Sequence, residues 1–155
     1  MIQRLQSVYL FLTTLLSLLF LNWSFLNFID KSGTVFKITF IGIIRETGGK
    51  GLEVVEKLFP LSIVIIIIPL ISLIAIFLYK NRKIQLRLTM IVIASVIGFI
   101  FLSGFYSMKI ITGYGAEMVP GFKMGIPVLL LVFAFLAYRG IKKDDQLVKS
   151  YDRLR

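Results

Sequence analysis

The chain has 155 residues, a formal net charge of +10 and 57% apolar side chains, with a mean hydropathy of +0.90. With only 17% charged residues it lacks the polar coat a soluble fold of this size needs, and it is far too apolar for a disordered segment. It contains neither cysteine nor histidine, which excludes disulfides, thiolate metal sites, cysteine nucleophiles and the usual proton shuttle, and with them most hydrolase and metalloenzyme chemistry.

Four apolar stretches approach the roughly 20 residues needed to cross about 30 Å of hydrocarbon. The first runs from about Val8 to Phe28. Met1-Ile2-Gln3-Arg4 could open a signal peptide, but the apolar run is too long and Asn22-Trp23-Ser24-Phe25 offers no small-x-small cleavage site. A retained anchor is expected, with Trp23 near the interface. In the connection that follows, Thr34 to Arg45 alternates as a strand does, with Phe36, Ile38, Phe40 and Ile44 on one face. Glu46 to Gly51 reads as a loop. Leu52 to Lys57 reads as the early start of the second helix, with Glu53 and Glu56 in a first turn whose dipole favours carboxylates.

The second span is expected from Leu58 to Tyr79 and the third from Leu88 to Met108. The short basic connection between them, Lys80 to Arg87, requires the two helices to lie antiparallel and in contact. Lys109 to Lys123, with Gly113, Gly115, Pro120 and Gly121, predicts an irregular turn. The fourth span is expected from about Pro120 to Tyr138; Lys123 can snorkel from its outer end. Pro69 and Pro127 are expected to kink their helices. From Gly140 the tail, 139–155, predicts a separate amphipathic helix with Leu147, Tyr151 and Leu154 on one face. The fold class expected is all-α: one integral membrane domain over 1–155, a four-transmembrane-helix bundle with a short outer strand or hairpin.

Orientation follows from the basic residues beside the spans. The two termini and the Lys80–Arg87 connection carry eleven Lys and Arg against three acids, whereas the other connections carry seven against five. The first side is therefore expected in the cytoplasm, with both termini inside a bacterial inner membrane. Attraction to anionic phospholipid headgroups accounts for these charges, and nucleic acid is not expected as a partner.

The spans contain no Asp, Glu, Lys or Arg in their cores, so proton relays and counter-ions are missing. Thr13 with Ser17, Ala94 with Gly98, and Gly121 with Gly125 have the spacing of helix-packing pairs. Glu53 with Glu56, and Glu117 near Tyr114, are the only outer carboxylate groupings; helix starts and loops explain them better than acid–base chemistry. No catalytic motif, cofactor site or metal-ligand spacing is present, and no enzyme activity is expected. The residues that stand out for partner or lipid contact are Arg4, Lys80, Arg82, Lys83, Arg87, Lys142, Lys143, Leu147, Tyr151 and Leu154. They point to an interaction or assembly module that engages a membrane or cytosolic protein, or itself, through its basic face. The alternative is a small transporter or lipid-handling protein, which would need a polar cavity lined by Thr13, Thr14, Ser17, Ser72 and Ser95.

Three stretches carry a resemblance: Met1-Ile2-Gln3-Arg4-Leu5-Gln6-Ser7-Val8-Tyr9-Leu10, then Leu78-Tyr79-Lys80-Asn81-Arg82-Lys83-Ile84-Gln85-Leu86-Arg87-Leu88, then Arg139-Gly140-Ile141-Lys142-Lys143-Asp144-Asp145-Gln146-Leu147-Val148-Lys149-Ser150 through Asp152-Arg153-Leu154-Arg155. Together, and in this order, they resemble domain-of-unknown-function family 4293, small four-span inner-membrane proteins of Bacteroidota. The resemblance implies the compartment and the four-span layout, and no catalytic residues. All three stretches fall on the expected cytoplasmic face.

Overall fold

The computed structural model describes residues 2–22, 24–47 and 52–153. Helices α1 (Ile2–Asn22), α2 (Phe59–Phe77), α3 (Arg82–Tyr114) and α4 (Ile126–Arg153) pack as a closed ring, each against the next and α4 against α1. The connections at one end of the ring form an antiparallel sheet of β1 (Leu26–Ile29), β2 (Val35–Ile38), β3 (Gly42–Glu46), β4 (Leu52–Lys57) and β5 (Glu117–Val119), in the order β4-β3-β2-β1-β5. The expected all-α fold is corrected accordingly. The single strand or hairpin becomes a five-stranded sheet, because a lone hairpin cannot bury its apolar face and this one is extended on both sides.

Three local errors have local causes. The stretch Thr34–Arg45 is two strands, not one. Thr39 turns the chain between them, its N–H and hydroxyl both donating to the Gly42 carbonyl at 2.9 Å. Gly42 is required there, since a Cβ would lie 2.1 Å from the Glu56 carbonyl oxygen. Leu52–Lys57 is β4 and not the start of α2. A helix through this segment would need an N–H on Pro60 to reach the Glu56 carbonyl, and proline has none. In the first turn of α2, where Pro60 stands, the missing donor costs nothing. The register pairs Ile43 with Glu56 but Ile44 with Val54, so Val55 is the extra residue of a bulge, and the period-two signal of β4 is broken. The Lys109–Lys123 turn contains the end of α3, closed by Gly115 in the left-handed region at φ 62°, and then β5.

The sheet lies over the end of the ring. Phe28, Phe36, Ile38 and Ile43 from its inner face join Leu61, Ile65, Phe99, Ile110 and Ile126 in one buried core. Beneath it Phe20, Phe25 and Phe99 form an aromatic triangle with ring centroids 5.1 to 5.6 Å apart. At the other end a second buried cluster is built from smaller side chains, Leu10, Ala75, Ala137 and Ile141.

Among the described residues three helices are long and apolar enough to cross a membrane: α2, α3, and the stretch Phe122–Val148 that contains most of α4. Helix α1 has 21 residues, with an apolar stretch over Leu5–Leu21, and residues expected at the end of the first span belong to β1 instead. At 1.5 Å per residue the 33 residues of α3 span roughly 50 Å. Pro69 lies buried inside α2, whereas Pro127 is the second residue of α4, a first-turn position where proline fits without a kink. No break separates the last span from the expected tail helix; α4 runs through Gly140 without interruption.

Candidate functional site

The basic residues singled out from the sequence converge on the end of the ring opposite the sheet. The apolar phase of α1 places Gln6 one turn before Leu10, and the buried stripe of α4, Leu130, Ala134, Ala137 and Ile141, continues in phase to Asp144. Gln6 and Asp144 are 5% and 6% exposed, and the Gln6 amide donates to Asp144 Oδ2 at 2.6 Å. Arg82, at the start of α3, donates from Nη1 to the Asp144 backbone carbonyl at 2.9 Å. Gln85, one turn further along α3, donates to the Ala75 carbonyl of α2 at 3.0 Å. Helix α4 is thus tied to α1 and α3 by one residue, Asp144, through its side chain and its backbone. Gly140 makes this approach possible: a Cβ on it would stand 2.8 Å from Gln6 Cγ.

Around this latch Lys80, Lys83, Arg87, Lys142 and Lys143 are exposed and Arg82 is half-buried. Lys142 holds its ammonium 6.0 Å above the Tyr138 ring. Leu147 is exposed. The side chains of Arg4 and Tyr151, and Leu154 altogether, lie outside the described residues, as do Trp23 and Gly49. Sequence reasoning missed Gln6 and Asp144. The available signal was an acid in register with an apolar helical stripe, four turns long, where a solvated tail would place it at random.

The hydroxyls that a transport path would need are bonded into the packing. Thr14 and Ser72 share a hydrogen bond of 2.7 Å between α1 and α2, and Thr14, Thr13 and Ser17 also donate to carbonyls of their own helix. Thr13, Thr14, Ser17 and Ser72 are buried and Ser95 is half-buried. Of the small-residue pairs, Thr13 with Ser17 faces the core, while Ala94, Gly121 and Gly125 are exposed.

At the sheet end the carboxylates serve structure. Both oxygens of Glu56 accept from Lys109 Nζ at 2.7 Å, fastening β4 to α3. Glu53 stands opposite Arg45 in the ladder, and the Arg45 guanidinium lies 5.3 and 5.9 Å from the ring centroids of Phe36 and Tyr114. The Tyr114 ring packs against Phe36 with centroids 4.7 Å apart, and Glu117 opens β5. Lys37 and Glu46 form an ion pair across β2 and β3. In the β1–β2 turn the Ser32 hydroxyl and the Lys31 N–H both donate to Asp30 and hold its carboxyl below the ordinary carboxylate range. Among the described residues no group of three potential ligands could hold a metal ion.

A cavity of about 400 Å³ opens sideways between α3 and α4 under the sheet, away from the basic end. Its lining is almost wholly apolar, with Lys123 as the one charged side chain. No curated protein and no solved structure matches the chain. The model of one family, Domain of unknown function (DUF4293), matches residues 2–154. That match covers nearly every residue, including the three stretches of resemblance apart from Met1 and Arg155 and the latch between Gln6, Arg82 and Asp144, and the chain therefore belongs to the DUF4293 family.

Proposed function

We propose that this protein is a non-enzymatic interaction or assembly module of the bacterial inner membrane, and that the basic end of its helix ring is the working surface. The observation that carries this reading is the latch. Gln6, Arg82 and Asp144 fasten three separate chain segments together, so the backbone positions that carry the exposed cations around them are held in one arrangement. A surface ordered before binding loses less conformational entropy when a partner docks. Mixed with Asp145, the pattern suits a protein surface of complementary charge, while the outermost lysines suit anionic headgroups.

The reading includes four crossings, with α1 as the fourth, and both termini in the cytoplasm. Because the chain has no cysteine, single introduced cysteines report sidedness cleanly. In intact spheroplasts a membrane-impermeant maleimide is expected to label Ile41→Cys, in the β2–β3 turn, and to spare Ile84→Cys until the membrane is opened. The reverse pattern would place the basic end outside and remove the basis for a cytoplasmic partner.

The partner surface is tested by photocrosslinking in cells. A crosslinking residue at Lys83 or Lys143 is expected to give a discrete protein adduct, and one at the lipid-facing Phe101 none. The adduct should disappear with Lys142→Glu and Lys80→Glu combined. Adducts of equal yield from all three positions, or none from any, would overturn the proposal.

A further inference from the structure

We propose that the underside of the sheet carries a site for the phosphoethanolamine headgroup of a membrane phospholipid, with Arg45 on its phosphate and Glu53 on its ammonium. This site is at the opposite end of the ring from the basic cluster and does not depend on the proposed function.

The register sets the two charges side by side. Arg45 pairs with Phe36 of β2 and with Glu53 of β4. Residues directly opposite in a ladder share a face, so both belong to the face on which Phe36 is buried, the one turned toward the helices. Their Cβ atoms start about 5 Å apart. A direct bond would make them an ordinary cross-strand ion pair, yet none forms: Arg45 and Glu53 have no ion pair among the described residues. The nearby charges are already matched, Lys37 with Glu46 and Lys109 with Glu56. Glu53 is exposed. Arg45 is half-buried, and its Nε has no hydrogen-bond partner among the described residues.

The depth is that of a headgroup. Arg87, exposed at the basic end, and Tyr114, the last residue of α3, lie roughly 40 Å apart along one continuous helix. A bilayer with its headgroups is about 40–45 Å thick. When Arg87 meets one headgroup layer, Tyr114 therefore meets the other, and the Arg45 guanidinium is 5.9 Å from the Tyr114 ring centroid.

Two opposite charges held on one face without neutralising each other match a zwitterion. The planar fork of a guanidinium donates two parallel hydrogen bonds to a phosphodiester. Contact with the Phe36 and Tyr114 rings, at 5.3 and 5.9 Å, orients that fork before a ligand arrives. In phosphoethanolamine the ammonium stands only a two-carbon linker from the phosphate, and its N–H groups donate to a carboxylate. The trimethylated ammonium of phosphocholine has no N–H to donate, and phosphoglycerol brings Glu53 no counter-charge. The pair therefore selects phosphoethanolamine.

The test uses the full chain in mild detergent, titrated with dioleoyl phosphatidylethanolamine or dioleoyl phosphatidylcholine and read by native mass spectrometry. Both lipids are zwitterionic with the same acyl chains, so the basic end does not separate them. One phosphatidylethanolamine per chain should be retained about tenfold better than phosphatidylcholine, the effect of one charge-assisted hydrogen bond. Glu53→Gln should erase that preference, and Arg45→Gln should weaken retention of phosphatidylethanolamine by about tenfold. Lys37→Gln, on the opposite face of the same sheet, should change neither. If Arg45→Gln does not fold, Glu53→Gln decides, since its position is exposed. Equal retention of the two lipids by the unaltered chain would overturn the proposal, as would a preference that survives Glu53→Gln. Glycerophosphoethanolamine, the same headgroup without acyl chains, is the last arm: binding as tight as that of the lipid would assign the site to a soluble ester and overturn the lipid.

Discussion

Phe99→Ala is expected to destabilise the folded protein by about 3–5 kcal/mol, the cost of emptying a large buried aromatic site. Phe99 is fully buried where the sheet meets the ring, and its ring lies 5.1 Å from Phe20 and 5.3 Å from Phe25. Truncation would remove contacts on two sides at once, to α1 and to the segment entering β1. Phe101, two residues further along the same helix, is 75% exposed. Its replacement by alanine should change stability by less than about 0.5 kcal/mol, as for other exposed positions. Unfolding in detergent, followed by circular dichroism for both variants, checks the contrast. Equal effects would mean that the aromatic triangle is not a packed core.

The second large effect concerns Gly140 and reverses sign with its neighbour. Gly140→Ala in the native chain sets a Cβ 2.8 Å from Gln6 Cγ, and overpacking of this kind costs about 1–3 kcal/mol. Gln6→Ala alone removes a hydrogen bond to a buried carboxylate, worth about 1.5–3 kcal/mol. In the double variant the clash is gone, and the alanine gains up to about 1 kcal/mol in helix propensity over glycine. Gly140→Ala is therefore expected to destabilise the native chain but to stabilise the Gln6→Ala chain. A double-mutant cycle by thermal unfolding measures this coupling. Additive effects would show that α1 and α4 do not meet through these two residues.

Much of the helical frame is legible in the sequence. The second span, expected over Leu58–Tyr79, is α2 at Phe59–Phe77, and the third lies inside α3. The first span was placed about six residues late for a physical reason. An apolar helix followed by an apolar strand, Leu26–Ile29, makes one continuous run of hydropathy, and hydropathy alone cannot find the corner between them. The sheet was hard to see because its evidence is non-local. β5 pairs with β1 across nearly ninety residues, and the bulge at Val55 conceals β4. Glu53 and Glu56 read as helix-start carboxylates only because what they face, Arg45 across the ladder and the Lys109 ammonium, is brought by other elements.

The candidate site was half legible. Charge near the spans pointed to Lys80, Arg82, Lys83, Arg87, Lys142 and Lys143, and these do converge on one end. Local charge could not reveal what fixes them. A neutral amide and an acid 138 residues apart form the bond between Gln6 and Asp144, and reading everything after Gly140 as a separate amphipathic helix, with its apolar face at Leu147, Tyr151 and Leu154, left Asp144 outside the core.

The unbroken course of α4 has a mechanical consequence. Its 28 residues measure roughly 42 Å, more than the apolar thickness of a bilayer, and the rod has no joint between the apolar cleft at one end and the cation cluster at the other. A stiff rod transmits rotation as displacement. A tilt of about 10° would carry the far end about 7 Å sideways, and Lys142 and Lys143 would travel with it. Asp144, bonded to Gln6 and Arg82, is the pin against which such a tilt would work, so one bolt near the tip of a long lever holds the spacing of the positive charges.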